Sequence, residues 1–284
     1  MQIIGTVPKL KPRAVAAHKG DFGKVLIVAG SLGMSGAAAL AGRSALRSGA
    51  GLVRVATPKS ILPIVASIEP CYTAIPLPED KAGRISAQAA AQILNAAADN
   101  NATAFGPGIG VSTDLRTVLA RLIEQEGLNL IIDADGLNNL AALADWPAKL
   151  KANLILTPHP GEMKRLWPAL IREPMPQERQ DQAVEFARRT KAVVVLKGAG
   201  TVVTDGERVY TNKTGNPGMA TAGAGDVLTG IITALVAQGL SSLDAAILAV
   251  YVHGRAGDIA AKALTQTSLI ATDIIDHLPQ AWPV

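Results

Sequence analysis

Asn216-Pro-Gly-Met-Ala-Thr-Ala-Gly-Ala-Gly-Asp226 runs straight into Val227-Leu-Thr-Gly-Ile-Ile-Thr-Ala-Leu-Val236. The first half carries almost no side chain. The second half is a helix by its spacing: Val227, Leu228, Ile231, Ile232, Leu235 and Val236 recur on one face, and Gln238-Gly239 stops it. Glycines that open a helix leave backbone N–H groups free at the positive end of the helix dipole, which makes an anion site. Asp226 falls in the first helical turn. A carboxylate there often does no more than answer the dipole, but a cap needs one good residue and not a run of small ones. The stretch therefore reads as a phosphate cradle with a base beside it, the dipole favouring the ionised form of that base.

Outward from this stretch the chain alternates strand and helix. Apolar runs predict strands at 24–29, 51–56, 102–105, 129–133, 153–157 and 192–196. Helical spacing predicts helices over 37–48, 59–67, 86–98, 113–125, 137–144, 177–190 and 243–262, and 272–278 closes the chain. Two short runs, 202–204 and 208–211, are split by Asp205-Gly206 and predict a hairpin with a type I′ turn. Residues 1–20 hold Pro8 and Pro12 without periodicity and read as an arm. The alternation predicts an α/β fold, a single three-layer α/β/α domain over 1–284 with a mostly parallel sheet covered on both faces. Apolar residues make up 49% of the 284 but aromatics only 3%, so the core has to be built from Ala, Val, Ile and Leu.

In an open parallel sheet, ligands bind outside the carboxyl ends of the strands. Successive ends here are glycine-rich or polar: Gly30-Ser-Leu-Gly-Met-Ser-Gly36, Gly106-Pro-Gly-Ile-Gly110, Asp133-Ala-Asp-Gly136, Pro158-His159-Pro160 and Lys197-Gly-Ala-Gly-Thr201. A tight strand-to-helix turn explains the first of these as well as a ligand does. His159, fixed between two prolines, favours a ligand contact over a turn histidine. Lys197, read as a lone cation at a sheet edge, is a phosphate partner or an ordinary solvated lysine. No Walker-type loop and no dinucleotide fingerprint occurs.

The charge of +4 is mild, and without basic runs or interleaved aromatics it gives no reason to expect nucleic acid as a partner. Cys71 is the only cysteine, which excludes an intrachain disulfide and a cysteine metal cluster. No signal-type apolar core and no apolar run of about 18 residues is present, so the expected location is cytoplasmic, with no membrane association.

Thr221-Ala-Gly-Ala-Gly-Asp226, behind strands with such tips, resembles the anion hole and catalytic aspartate of the ribokinase-like superfamily. The finer resemblance is to the ADP/ATP-dependent NAD(P)H-hydrate dehydratases. It rests on Lys19-Gly-Asp-Phe-Gly-Lys24, Ala29-Gly-Ser31, Gly106-Pro-Gly108, Asp133-Ala-Asp-Gly-Leu-Asn138, Thr157-Pro-His-Pro-Gly-Glu162, Leu196-Lys-Gly198 and Asn216-Pro-Gly-Met-Ala-Thr221. These motifs stand in order over about 15–280; each alone is weak and the ordered set is strong.

The resemblance implies repair of hydrated nicotinamide cofactors. ADP or ATP phosphorylates the ring hydroxyl of the S-form of NADH hydrate or NADPH hydrate, and loss of phosphate restores the cofactor. It places the hydrate near Ala37, Gly108, His159 and Asp226. It places the adenine nucleotide near Lys197, Gly198, Ala199, Gly200, Thr201 and Gly225. Asp226 would take the hydroxyl proton, the N–H groups of Gly223, Ala224 and Gly225 would steady the transferring phosphoryl, and Mg2+ would neutralise the nucleotide phosphates. It further implies a homo-oligomer, with a tetramer as one candidate, and a separate NAD(P)H-hydrate epimerase upstream, since 1–20 is too short for a fused one. Met34 stands where members often carry an aromatic residue, and Ala222 and Ala224 where they carry Gly or Thr. Both alanines keep their backbone donors, while the Met34 change implies weaker stacking on the nicotinamide. A small-molecule kinase of the same superfamily and a non-catalytic nucleotide-binding module remain open alternatives.

Overall fold

Val25 and Ile27 bury themselves in one hydrophobic layer and Leu26 and Val28 in another, the period-two signature of a strand covered on both faces. In the computed structural model, which describes residues 1–283, this strand (β2, Lys24–Val28) lies within one ten-stranded sheet. The other strands are β1 (Gln2–Ile3), β3 (Leu52–Pro58), β4 (Thr73–Leu77), β5 (Ala102–Phe105), β6 (Asn129–Ile132), β7 (Asn153–Leu156), β8 (Val193–Leu196), β9 (Val202–Thr204) and β10 (Arg208–Thr211). Their order is β1-β10-β9-β8-β7-β6-β5-β2-β3-β4. From β8 to β4 all neighbours are parallel, and β9 runs antiparallel to both β8 and β10. The chain winds outward from β2 to β4, then returns beside β2 with β5 and winds the other way, so the topological switch lies between β2 and β5.

One face is covered by α1 (Ser35–Arg47), α9 (Ala224–Ala237), α10 (Ser242–Ala263) and α11 (Ala271–Ala281). The other carries α3 (Ala90–Ala98), α4 (Thr113–Ile123), α5 (Asp135–Ala141), α7 (Pro160–Leu170) and α8 (Arg179–Thr190). Two short helices, α2 (Leu62–Ile68) and α6 (Trp146–Lys149), complete the set. The α/β/α layering is the one expected from the alternation. Among the described residues no helix is long and apolar enough to cross a membrane.

The scarcity of aromatics has a structural counterpart where α1 crosses α9. Ala38, Ala41 and Ala45 share a core layer with α9, and a Cβ added at Gly230 would collide with the Ala41 carbonyl and the Ser44 hydroxyl. Gly230→Ala is therefore expected to destabilise the fold by about 1–3 kcal/mol through overpacking, read as a lower midpoint in urea unfolding.

Several sequence expectations are corrected. Residues 1–20 are not wholly an arm, because Gln2 and Ile3 pair with Arg208 and Val209 of β10. Strand β4 escapes the apolar-run reading because it is an edge strand with Pro76 inside it, tolerated where only β3 needs hydrogen bonds. The hairpin lacks a type I′ turn. Thr204 pairs with Val209, which leaves four connecting residues, and only Gly206 has positive φ there. Asp205 Oδ1 instead accepts from the N–H groups of Glu207 and Arg208, a side chain closing the loop that a backbone turn was expected to close.

Candidate active site

A cavity of about 910 Å³ opens over the carboxyl ends of β6, β7 and β8, against the first turn of α9. Most of the residues singled out in the sequence meet there: His159, Lys197, Gly198, Ala199, Gly200, Thr201, Gly223, Ala224, Gly225 and Asp226 all line it. Ala37 and Gly108 do not. They sit at the β2/β5 switch, where a Cβ on Gly108 would press on Ala37 and Met34, and the Gly108 carbonyl accepts from Ser31 Oγ at 2.7 Å. Gly108 and His159 also do not follow adjacent strands, because β6 lies between β5 and β7.

Gly223 starts α9 in the left-handed region (φ 88°) and offers no side chain to cap it. The N–H groups of Gly225 and Asp226 have no backbone partner among the described residues, nor does that of Gly223, while the Ala224 N–H leans on the Thr221 carbonyl at 3.4 Å. An uncapped helix start facing a cavity is an anion site in waiting. Gly225 lies close to the lysine below it: a Cβ there would be 3.4 Å from Lys197 Nζ.

Lys197 is neither at a sheet edge nor an ordinary solvated lysine. It leaves β8 in the sheet interior, its side chain is only 18% exposed, and Nζ donates to Asp133 Oδ1 at 2.6 Å. Asp133, at the end of β6 and 1% exposed, accepts from Thr229 Oγ1 at 2.7 Å with its other oxygen. This carboxylate therefore ties β6, β8 and α9 together beneath the uncapped turn. Burial alone would push Asp133 up, but the Lys197 ammonium and the hydrogen bonds outweigh it and hold the carboxyl below its usual range. Burial likewise opposes the charge on Lys197, and Asp133 and Glu162 outweigh it and push its pKa up.

Asp226 behaves otherwise than the dipole predicts. Burial, reinforced by the Asp133 charge and then opposed by Lys197, raises it to about 7. Desolvation wins because no hydrogen bond to the carboxylate compensates it. Glu162, 3.9 Å from Lys197 Nζ, is likewise raised to about 7, chiefly by burial.

His159 has a structural role as well as an exposed face. As N-cap of α7 its Nδ1 accepts from the Gly161 N–H at 2.9 Å, while its own N–H donates to Glu162 Oε2 at 2.7 Å. The ring remains 49% exposed on the cavity wall. Asp133, Glu162 and Thr229 were missing from the sequence-level site. The first two stood at strand tips within quoted motifs, whereas nothing in the spacing of Thr229 marks it. His253 also lines the cavity from α10, half-buried, and desolvation drives it down to about 4.

Comparison with known proteins assigns this geometry to a family. The NAD(P)H-hydrate dehydratase family model matches residues 25–280. The chain belongs to the NAD(P)H-hydrate dehydratase family. It is 42% identical over 273 residues to the bifunctional NAD(P)H-hydrate repair enzyme Nnr of Moorella thermoacetica, covering 95% of this chain and 51% of that protein. It thus spans about half the length of the curated relatives it matches. The ADP/ATP-dependent NAD(P)H-hydrate dehydratase from Bacillus subtilis, co-crystallised with ATP/Mg2+, superposes with a TM-score of 0.80 at 30% identity, over 96% of this chain and 94% of that one. A ribokinase-like superfamily protein from Enterococcus faecalis V583 superposes at 0.79 with 26% identity, over 95% and 89%. The dehydratase fold here is therefore ribokinase-like, as its motifs suggested.

Proposed function

We propose that the chain dehydrates the S-form of NADH hydrate or NADPH hydrate at the expense of ADP or ATP. Asp226 removes the proton from the ring hydroxyl as its oxygen bonds to the terminal phosphorus and the nucleotide P–O bond breaks, leaving AMP or ADP. Phosphate then departs with the C–O electron pair, a ring proton is lost, and the ring double bond returns. The observation that carries this reading is the placement of a half-buried carboxylate, Asp226, beside helix N–H groups without a backbone partner among the described residues, with a clamped ammonium beneath them. Donors fixed in advance at the transferring phosphoryl stabilise charge where it develops. Phosphate release in step with nucleotide consumption, with no stable phosphorylated product, tests it; a stable phosphorylated alcohol would make the chain a kinase.

Among the described residues no group of three or more His, Cys, Asp and Glu is disposed to hold a metal ion. Asp133 has both oxygens engaged. The donor set fits a Mg2+ that arrives on the nucleotide phosphates with most of its waters, and not a protein-built cage. When bound, such an ion would neutralise phosphate charge.

His159 and Gly108 belong to the hydrate side of this reading, and Ala37 with them. His159→Ala should raise the KM for the hydrate well above its effect on the KM for nucleotide, measured in steady state. An unchanged hydrate KM would leave His159 as a helix cap only. The same reading includes self-assembly into a homo-oligomer, a cytoplasmic setting and an epimerase that supplies the S-form. The bifunctional naming of relatives about twice as long supports a paired repair activity.

A further inference from the structure

Arg179 is the first residue of α8, where a cation opposes the helix dipole, and its Nε is buried without a partner among the described residues. Both features cost stability, so the placement serves something other than the helix. Both terminal nitrogens engage the loop after β8: Nη1 donates to the Ala199 carbonyl at 2.6 Å, and Nη2 to the carbonyls of Leu196 at 3.0 Å and Lys197 at 2.9 Å. A Cβ on Gly198 would lie 3.1 Å from the guanidinium, so glycine lets the loop fold down upon it.

Peptide planarity turns these contacts into a statement about donors. No peptide bond in the described chain is cis, and in a trans peptide the N–H points away from the carbonyl of the same unit. Carbonyls of Lys197 and Ala199 drawn to Arg179 therefore send the N–H groups of Gly198 and Gly200 to the opposite side. Among the described residues neither N–H has a backbone partner, both residues line the cavity, and both have positive φ (133° and 65°). Two free N–H groups one residue apart that face the same cavity offer an anion a pair of fixed donors.

We propose that Arg179 is a positioning residue of the nucleotide site, turning the carbonyls of the 196–199 segment away from the cavity so that the Gly198 and Gly200 N–H groups face the phosphates of ADP or ATP. This rests on the nucleotide-dependent reading above. The guanidinium does not touch the ligand; it shapes the backbone that does. A lysine cannot reproduce the effect, because one ammonium lacks the planar fork that holds separated carbonyls together.

Titration calorimetry with ADP and with ATP on wild type, Arg179→Met and Arg179→Lys tests it. Arg179→Met should weaken nucleotide binding on the order of 10- to 100-fold, the scale of one or two charge-assisted hydrogen bonds, with the KM for the hydrate unchanged. Arg179→Lys should recover only part, and guanidinium ion at non-denaturing concentration should restore affinity to Arg179→Met. If Arg179→Met fails to fold, Arg179→Lys carries the test, together with amide exchange at Gly198 and Gly200. A folded variant that binds nucleotide as the wild type does overturns the inference and leaves the dehydratase reading intact. A wild type that binds neither nucleotide overturns both.

Discussion

Asp226→Asn is expected to lower turnover by about 10²–10⁴-fold while nucleotide still binds, measured by steady-state rates beside calorimetry. Asparagine keeps the shape of the side chain and removes the charge that accepts the proton. Because Asp226 is raised to about 7, chiefly by burial, wild-type turnover should climb as pH rises through about 7, where the carboxylate forms. The stability effect has the opposite sign. A carboxyl whose folded pKa lies above its ordinary value of 3.8 adds stability that is complete below that value and is lost as pH rises through about 7. Asp226→Asn removes that loss, so the variant should melt no lower than wild type at pH above 7. A mere dipole partner would instead cost about 0.3–1 kcal/mol on replacement and leave turnover near normal.

Lys197→Met should be the most destabilising of the cavity substitutions, by about 3–5 kcal/mol near neutral pH. The sequence alone offered Lys197 as a phosphate partner or an ordinary solvated lysine, neither of which the fold would need. The 2.6 Å pair with Asp133 changes that expectation, because methionine would leave a carboxylate that is 1% exposed without its cation. Asp133 is held below its ordinary value of 3.8 by Lys197 against its burial, so the pair contributes above that value and its contribution fades as pH falls through the lowered pKa. Lys197→Met should accordingly lose less in acid, and Asp133→Asn in the same chain should restore part of the loss. Equal melting of wild type and Lys197→Met at pH 7 would show the pair to be inconsequential.

These two residues show what the sequence could and could not convey. The strand alternation, the glycine run and the helix behind it were legible because backbone needs dictate them: N–H groups must be free, and Gly223 must adopt a positive φ. The electrostatics were not legible, since they depend on what lies across the sheet. Asp133 and Lys197 are 64 residues apart and meet only once β6, β7 and β8 are in register. The reversal of the Asp226 shift has the same origin, for helix position is local whereas burial is tertiary. Likewise, Arg179 could be read only as one more charge on an amphipathic helix until its carbonyl partners were in place.

The dehydratase assignment is tested most directly by incubating the protein with NADH hydrate and ADP or ATP and following the reduced-nicotinamide absorbance band. The band should recover, with one phosphate released per cofactor restored, and Asp226→Asn should slow the recovery by the factor given above. A folded protein that binds nucleotide but restores no reduced nicotinamide from either NADH hydrate or NADPH hydrate would contradict the assignment.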